Sequence, residues 1–245
     1  MKYMYLVFFM LLALFSCSST TKFITMDEFI SARSDTTAGN YKLFKYINGL
    51  TAKDYYTLLK RVKRGDSLDA SDFFTLRMAY TKTKEYSPYA ETVERQRRIR
   101  KYLFSSPDYK KAITIADSTL SSDYVDIKSH FYCTVAYDLL GDSLKAEFHA
   151  KIFRNLIGSI FLSGNGKSPK NAFIVICVGE EYSLLEALGL SVDEQALISQ
   201  DGSYFDLLEV SDKEKKTRKK IYFNIDLPFN EMSRRISHRL SRDSL

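Results

Sequence analysis

The 245-residue chain predicts an α+β fold from the order in which two hydrophobic periods appear along it. From about residue 51 to 162, apolar residues recur at three- and four-residue steps, the period of an amphipathic helix. From 172 onward, short β-branched and aromatic runs replace that pattern, which is the signature of strands. The glycine-rich stretch Ser163-Gly164-Asn165-Gly166-Lys167-Ser168-Pro169 separates the two halves. Helices first and strands last predict antiparallel helical hairpins followed by a small antiparallel or mixed sheet of roughly three strands, with short helices, covered on one side. Hydrophobic residues make up 45% and aromatics 14% of the chain, enough for a packed core and unlike a disordered composition.

Each element has its own signal. Tyr55, Leu58, Leu59 and Val62 define a helix from about Thr51, stopped by the basic turn Lys63-Arg64 and Gly65. A second helix follows Ser71 and buries Phe73, Phe74, Leu76 and Tyr80, ending before Ser87-Pro88. Val93 to Phe104 is a third. Ser106-Pro107-Asp108 reads as the start of a fourth, with the Ser106 hydroxyl as cap and the proline in the first turn. Asp123 or Asp126 opens a fifth, which closes at Leu140-Gly141, and Asp142-Ser143 caps a sixth. Residues 172–178 then read as a buried strand and Glu180 to Leu188 as a short helix ended by Gly189. Ser191-Val192-Asp193-Glu194 matches a capping box and predicts one more helix. Residues 204–210 and 221–225 predict two strands joined by the charged link Ser211 to Lys220. The basic tail, 233–245, continues as a final helix.

The amino terminus carries an address. Lys2, an apolar run from Tyr3 to Phe15, and Leu14-Phe15-Ser16-Cys17 form a secretory signal peptide over residues 1–16. The run is shorter than the ~20 apolar residues of a membrane-spanning helix. The residues around Cys17 resemble the lipobox of bacterial lipoproteins. That resemblance implies cleavage before Cys17, acylation of its thiol, and membrane lipid as the first partner. A polar tether, 17–40, follows. Its Ser-Thr-Lys start lacks the acidic cluster that marks surface export, so the expected place is the cell envelope of a Gram-negative bacterium, at the outer membrane facing the periplasm. Removing sixteen residues leaves 229, with a formal charge of about +5, which bears on partner sign rather than fold. Such a place excludes nucleic acid as the expected partner.

Two further resemblances concern the folded part. Tyr137, Gly141 and Ala146 have the spacing of one tetratricopeptide hairpin, in which glycine closes the first helix and alanine sits at the crossing. His130 and Thr134 depart from that pattern and no 34-residue period is evident, so the array is TPR-like only in part. Tyr86-Ser87-Pro88-Tyr89, Gly141-Asp142, Ser163 to Ser168, Ala172-Phe173, Glu181-Tyr182 and Tyr222-Phe223-Asn224-Ile225-Asp226 together resemble domain of unknown function 4919, DUF4919. The resemblance covers about 40 to 232 and implies a single domain over 41–232. It brings no activity, ligand or catalytic residue.

Catalytic and metal chemistry find few footholds. Gly-Lys-Ser at 166–168 imitates a P-loop, but Phe161 stands where the first glycine is required, and a helix precedes the loop. No Gly-x-Ser-x-Gly elbow is present. His130, His149 and His238 are scattered, and His130 and His149 are not expected level with each other across the Gly141 turn, so no metal or cofactor is expected. Cys133 and Cys177 lie in apolar runs and read as buried thiols, with a disulfide as the alternative. Glu180 and Glu181 sit where a buried strand meets a helix, a place that suits catalytic acids. The bland alternative has one acid capping the helix and the other solvated. Arg95, Arg97, Arg98 and Arg100 form a charged helix side, read as a solvated face or as a site for anionic glycans or lipid headgroups.

The expected role is a non-catalytic, lipid-anchored scaffold whose hairpins hold an envelope protein or peptide. The alternative is an envelope hydrolase that uses the loop Gly164, Asn165, Gly166, Lys167, Ser168 with Glu180 or Glu181.

Overall fold

A computed structural model describes residues 39–89, 92–212 and 216–243, all within one unit, Thr36–Leu245. The leader, Cys17 and the tether up to residue 38 lie outside the described residues. Nine α-helices and four strands occur among the described residues, α+β in the predicted order, and no described helix is long and apolar enough to cross a membrane.

The helical half begins earlier than periodicity predicts. Helix α1, Gly39–Gly49, includes Gly39 and Asn40, which the sequence assigns to the tether. Local propensity there is poor, but Ile47 is buried and Tyr46 stacks on Phe74, so packing decides. Helix α2, Ala52–Lys63, carries a capping box between Thr51 and Asp54 and ends at Gly65, φ +80°, as its sequence indicates. Helix α3, Ala70–Tyr80, starts two residues earlier than expected because Asp69, not Ser71, accepts the free amides. Seven of its residues, including Arg77, are buried, which makes α3 the central helix of this half.

Helix α4, Thr92–Arg100, runs into a π-turn, Lys101–Ser105, before α5, Tyr109–Leu120. The cap of α5 is Asp108, whose carboxylate accepts from Lys111 N, so Ser106 and Pro107 precede the helix rather than opening it. Helix α6, Ile127–Leu139, is capped by Asp126, and α7, Ser143–Phe161, by Asp142. At their crossing lie Cys133, Ala136, Ala146 and Ala150, all buried; small side chains there let the helices approach closely.

The chain then enters the sheet through the glycine loop. Asn165 and Gly166 both donate their amides to Asn171 O, at 2.9 and 2.8 Å, and Gly166 O accepts from Tyr222 N at 2.9 Å. A Cβ at Gly164 would stand 2.4 Å from the carbonyl oxygens of Asn171 and Ala172. Backbone atoms cannot yield that distance. Gly164→Ala is therefore expected to cost more than about 2 kcal/mol, measured as a fall in the urea midpoint, whereas Gly179→Ala, with only the Cys177 sulfur at 3.6 Å, should cost far less.

The sheet has four strands rather than three, in the order β1-β4-β3-β2. Strand β1, Phe173–Ile174, is parallel to β4, Thr217–Asn224; β4 is antiparallel to β3, Ser203–Asp212, and β3 to β2, Leu190–Gln200. Two expectations change here. The segment read as a helix from its capping box at Ser191 is strand β2. Asp201 and Gly202, φ +52° and +79°, form the tight hairpin turn that Asp-Gly favours, and ten registered pairs with β3 follow from it. Cooperative pairing of that length outweighs a local cap. The strand expected over 172–178 is also shorter, since only Phe173 and Ile174 join the ladder and Val178 already begins helix α8, Val178–Ala187. Helix α9, Asp226–Asp243, follows β4, and its Phe229 stacks on Tyr204 of β3 at 3.9 Å between ring centroids.

Candidate functional site

The two acids singled out in the sequence open helix α8, and both are buried: Glu180 is 3% and Glu181 0% exposed. Neither is the solvated residue or simple cap of the bland alternative. Consecutive helical positions diverge by about 100°, so the two carboxylates serve different neighbourhoods.

Glu180 belongs to a lock that joins both halves of the domain. Arg77 of α3 donates from Nε to Glu180 Oε1 at 2.7 Å and from Nη2 to Oε2 at 2.5 Å, a forked ion pair. The same guanidinium donates to Ser159 Oγ of α7 at 3.1 Å and to Ile174 O of β1 at 3.2 Å. Glu180 Oε2 also accepts Ile176 N at 2.9 Å. Tyr86 Oη donates to Ile176 O at 2.6 Å and Ile174 N donates to Ser163 Oγ at 2.8 Å. Residues 172–176 are nearly inaccessible; Val175 N still reaches Asn224 O of β4 at 3.3 Å, but the backbone groups of Ile174 and Ile176 find side chains where a longer strand would have found a neighbour. This explains why β1 stops after two residues. With its oxygens so engaged, Glu180 holds structure together.

Beside the lock lies a recess of about 40 Å³, lined among others by Glu180, Cys177, Tyr86, Asp123 and Asp126. It admits one or a few waters and no metabolite. Burial, then the charges of Asp126 and Glu180, pushes the Asp123 carboxyl well up, and burial pushes Asp126 up likewise. Desolvation also raises the Cys177 thiol well above its usual range, although Cys177 is half-buried rather than fully buried as its apolar run predicts. Cys133 and Cys177 are both free thiols.

Glu181 faces the sheet and has a different chemistry. Neither carboxyl oxygen has a hydrogen-bond partner of good geometry. Burial first, then the nearby Asp206 carboxylate of β3, pushes its pKa up to about 9. Asp206 is itself raised, mainly by burial, while Glu181 and Gln195 act to lower it. At neutral pH Glu181 therefore holds its proton beside an acid that ionises more readily. Sequence could show two adjacent acids but not that Asp206, 25 positions downstream of Glu181, would face one of them.

The remaining predicted residues fall elsewhere. In the glycine loop, the amides of Asn165 and Gly166 serve Asn171 O, and Lys167 N donates to Asn165 Oδ1 at 3.0 Å, so three donors of that loop are spent internally. The Lys167 side chain is exposed. On α4, Arg97 is paired with Glu94 at 2.8 Å, Arg98 and Arg100 are exposed, and Arg95 is half-buried.

The histidines need a correction. His130 and His149 do meet: their Nδ1 atoms are 3.0 Å apart. They differ by three residues in distance from Gly141, about 4.5 Å of helix rise, and two imidazole rings at a close crossing bridge that offset. His130 Nε2 lies 2.9 Å from Tyr124 O and must donate, so His130 Nδ1 accepts and His149 Nδ1 donates. Burial, then His149, lowers the His130 pKa to about 3; burial lowers His149 to about 4. Both rings are neutral core groups, and no cluster of three or more potential metal ligands occurs among the described residues.

No curated protein and no solved structure matches the chain. The model of one family, described as a domain of unknown function, DUF4919, matches residues 42–234. That span runs from helix α1 through the glycine loop, the Glu180 lock and all four strands into α9, and it covers well over half of the sequence: the chain belongs to the DUF4919 family.

Proposed function

We propose that this protein is a lipid-anchored envelope component that binds an extended peptide segment of a partner along strand β2, without catalysing a reaction. Acylated Cys17 would hold it on a membrane, at the outer membrane with the domain turned to the periplasm. The observation that carries the binding reading is the free edge of β2. This strand runs for eleven residues at the border of the sheet, Glu194 to Leu197 are exposed, and Leu197 is 59% exposed. A long open edge offers a row of unpaired backbone groups that an added strand satisfies, with alternate side chains for selectivity. Glu194 among these exposed residues is an acid, while Asp193 beside it is held by Ser211 and Arg218, so Glu194 is the charge that favours a basic group on the segment.

In cells fed labelled palmitate, the protein is expected to take up label and to lose it, with its membrane fractionation, in Cys17→Ser. A photo-crosslinking residue at Leu197 is expected to give one discrete adduct that Ser199→Pro abolishes, because the Ser199 amide points away from β3 and proline removes that edge donor. A crosslinker at exposed Tyr56, far from the sheet in sequence, serves as control. Equal crosslinking at the two positions would sink the edge reading.

The hydrolase alternative keeps one supporting observation, the proton held on Glu181 next to Asp206, a pairing that suits acid–base work. It requires a substrate pocket at that pair, and the recess described above is lined by Glu180 and not by Glu181. Turnover of an envelope substrate that vanishes in Asp206→Asn would favour it.

A further inference from the structure

One end of the helical half combines exposed apolar residues with cations. At the α6–α7 tip, Leu139, Leu140 and Leu144 are 49%, 43% and 85% exposed. Leu144 stands in the first turn of α7, so its exposure costs the protein an apolar contact that the fold does not use. The start of α5 lies against this tip: Lys110 and Ile113 share a surface hollow of about 410 Å³ with Tyr137, Leu140 and Lys145. The turn that leads into α5 adds Phe104, 39% exposed. Lys101, Lys110, Lys111 and Lys145 are all exposed around these residues. Lys111 lies over the Tyr102 ring at 4.6 Å and Lys145 over Tyr137 at 5.1 Å, which holds their ammonium groups at the level of the apolar side chains.

We infer that this end of the helical half docks on an anionic lipid bilayer, with Leu139, Leu140, Leu144 and Phe104 entering the acyl boundary and the lysines meeting phosphate headgroups. Single exposed leucines are ordinary; three at one hairpin tip, ringed by lysines, match the composition of interfacial membrane anchors. Asp142 already holds Lys145 at 2.9 Å and Asp108 and Asp138 are exposed at the same end, so the electrostatic attraction falls to Lys101, Lys110 and Lys111 against these acids. A bilayer rather than a protein is favoured by the nearness of the membrane. If Cys17 is acylated, the 22 residues from Cys17 to Ala38 let the domain stand no more than about 75 Å from the lipid, so a bilayer is present at high effective concentration whenever the protein is in place. In this respect the inference rests on the anchor proposed above. It adds an orientation: the tip is held down while the β2 edge, in the other half of the fold, stays open to a partner.

The test is amide hydrogen exchange of the full-length protein with preformed vesicles of phosphatidylethanolamine, with or without phosphatidylglycerol. Amides of residues 101–111 and 139–145 are expected to exchange about tenfold more slowly with the anionic vesicles, and this protection should be lost in Leu144→Glu and in the Lys110→Glu, Lys111→Glu double variant. Unchanged exchange in α8 reports that these variants are folded. Equal protection with both vesicle types, protection that survives both variants, or protection gained only when envelope proteins are added overturns the inference. Palmitate uptake is read separately. Protection at the tip without palmitate uptake removes the anchor and leaves the docking face standing, while uptake without protection does the reverse.

Discussion

Arg77→Met is expected to destabilise the protein by about 3–5 kcal/mol, a fall of about 2 M in the urea midpoint. The guanidinium is fully buried and supplies four hydrogen bonds, two of them to Glu180. Methionine fills much of the volume but leaves the buried Glu180 carboxyl without its counter-charge, with only the Ile176 amide as donor, and leaves Ile174 O without its partner. The magnitude comes from stranding a charge, not from the pair being strong in itself. Removing both charges in Arg77→Met, Glu180→Leu should therefore recover a substantial part of the loss, because the desolvation of two ions disappears along with their attraction. A double-mutant cycle in urea separates these terms. If Arg77→Met costs under 1 kcal/mol, the lock does not join the helical half to the sheet as described.

The second large effect is a dependence on pH with two arms. Glu181 has a folded pKa of about 9, raised by burial and Asp206, against about 4.3 in an unfolded chain. Between those values the unfolded state has released a proton that the folded state keeps, so raising the pH favours unfolding. The slope approaches about 1.4 kcal/mol per pH unit for one such group. Asp206, Asp123 and Asp126 are also raised and add in the same direction. His130 and His149 act at the other end. Their folded values of about 3 and 4 lie below the unfolded value of about 6.5, so stability present above pH 6.5 is lost as the pH falls toward those folded values. Thermal unfolding followed from pH 4 to pH 9 is expected to show a maximum between the two arms. Glu181→Gln removes the ionisable group while offering Asp206 an amide donor, so it should raise stability at pH 8 by up to about 5 kcal/mol and flatten the alkaline arm while leaving the acid arm in place. An alkaline arm unchanged in this variant would show that Glu181 does not hold its proton.

Much of the architecture is legible in the residues themselves. Asp142 before α7, Thr51 and Gly65 around α2, and the long helical period from 52 to 161 act through contacts a few residues apart, and these the chain carries locally. The error at Ser191 is instructive, because a valid capping box lay in a segment that also had Asp201-Gly202 behind it. The hairpin signal was present and longer in its consequences, ten pairs against one turn. The early start of α1 had no comparable signal, since Gly39 and Asn40 become helical only because Ile47 and Tyr46 find α3.

The candidate site divides along the same line. Sequence alone picked out Glu180 and Glu181, placed them at the head of a helix behind a buried run, and identified the family later matched over residues 42–234. Their roles were settled by residues far away in the chain: Arg77, 103 positions before Glu180, and Asp206 on a strand not yet formed when α8 is read. Proximity to such partners depends on how whole elements pack, and a carboxylate's protonation depends on burial, which is a property of the assembled core. Local hydrogen bonding and hydrophobic period thus determined where the helices and strands would be. Only the tertiary structure decided which buried acid became an ion-paired lock and which kept its proton, because desolvation and the distance between charges exist only once the chain has folded.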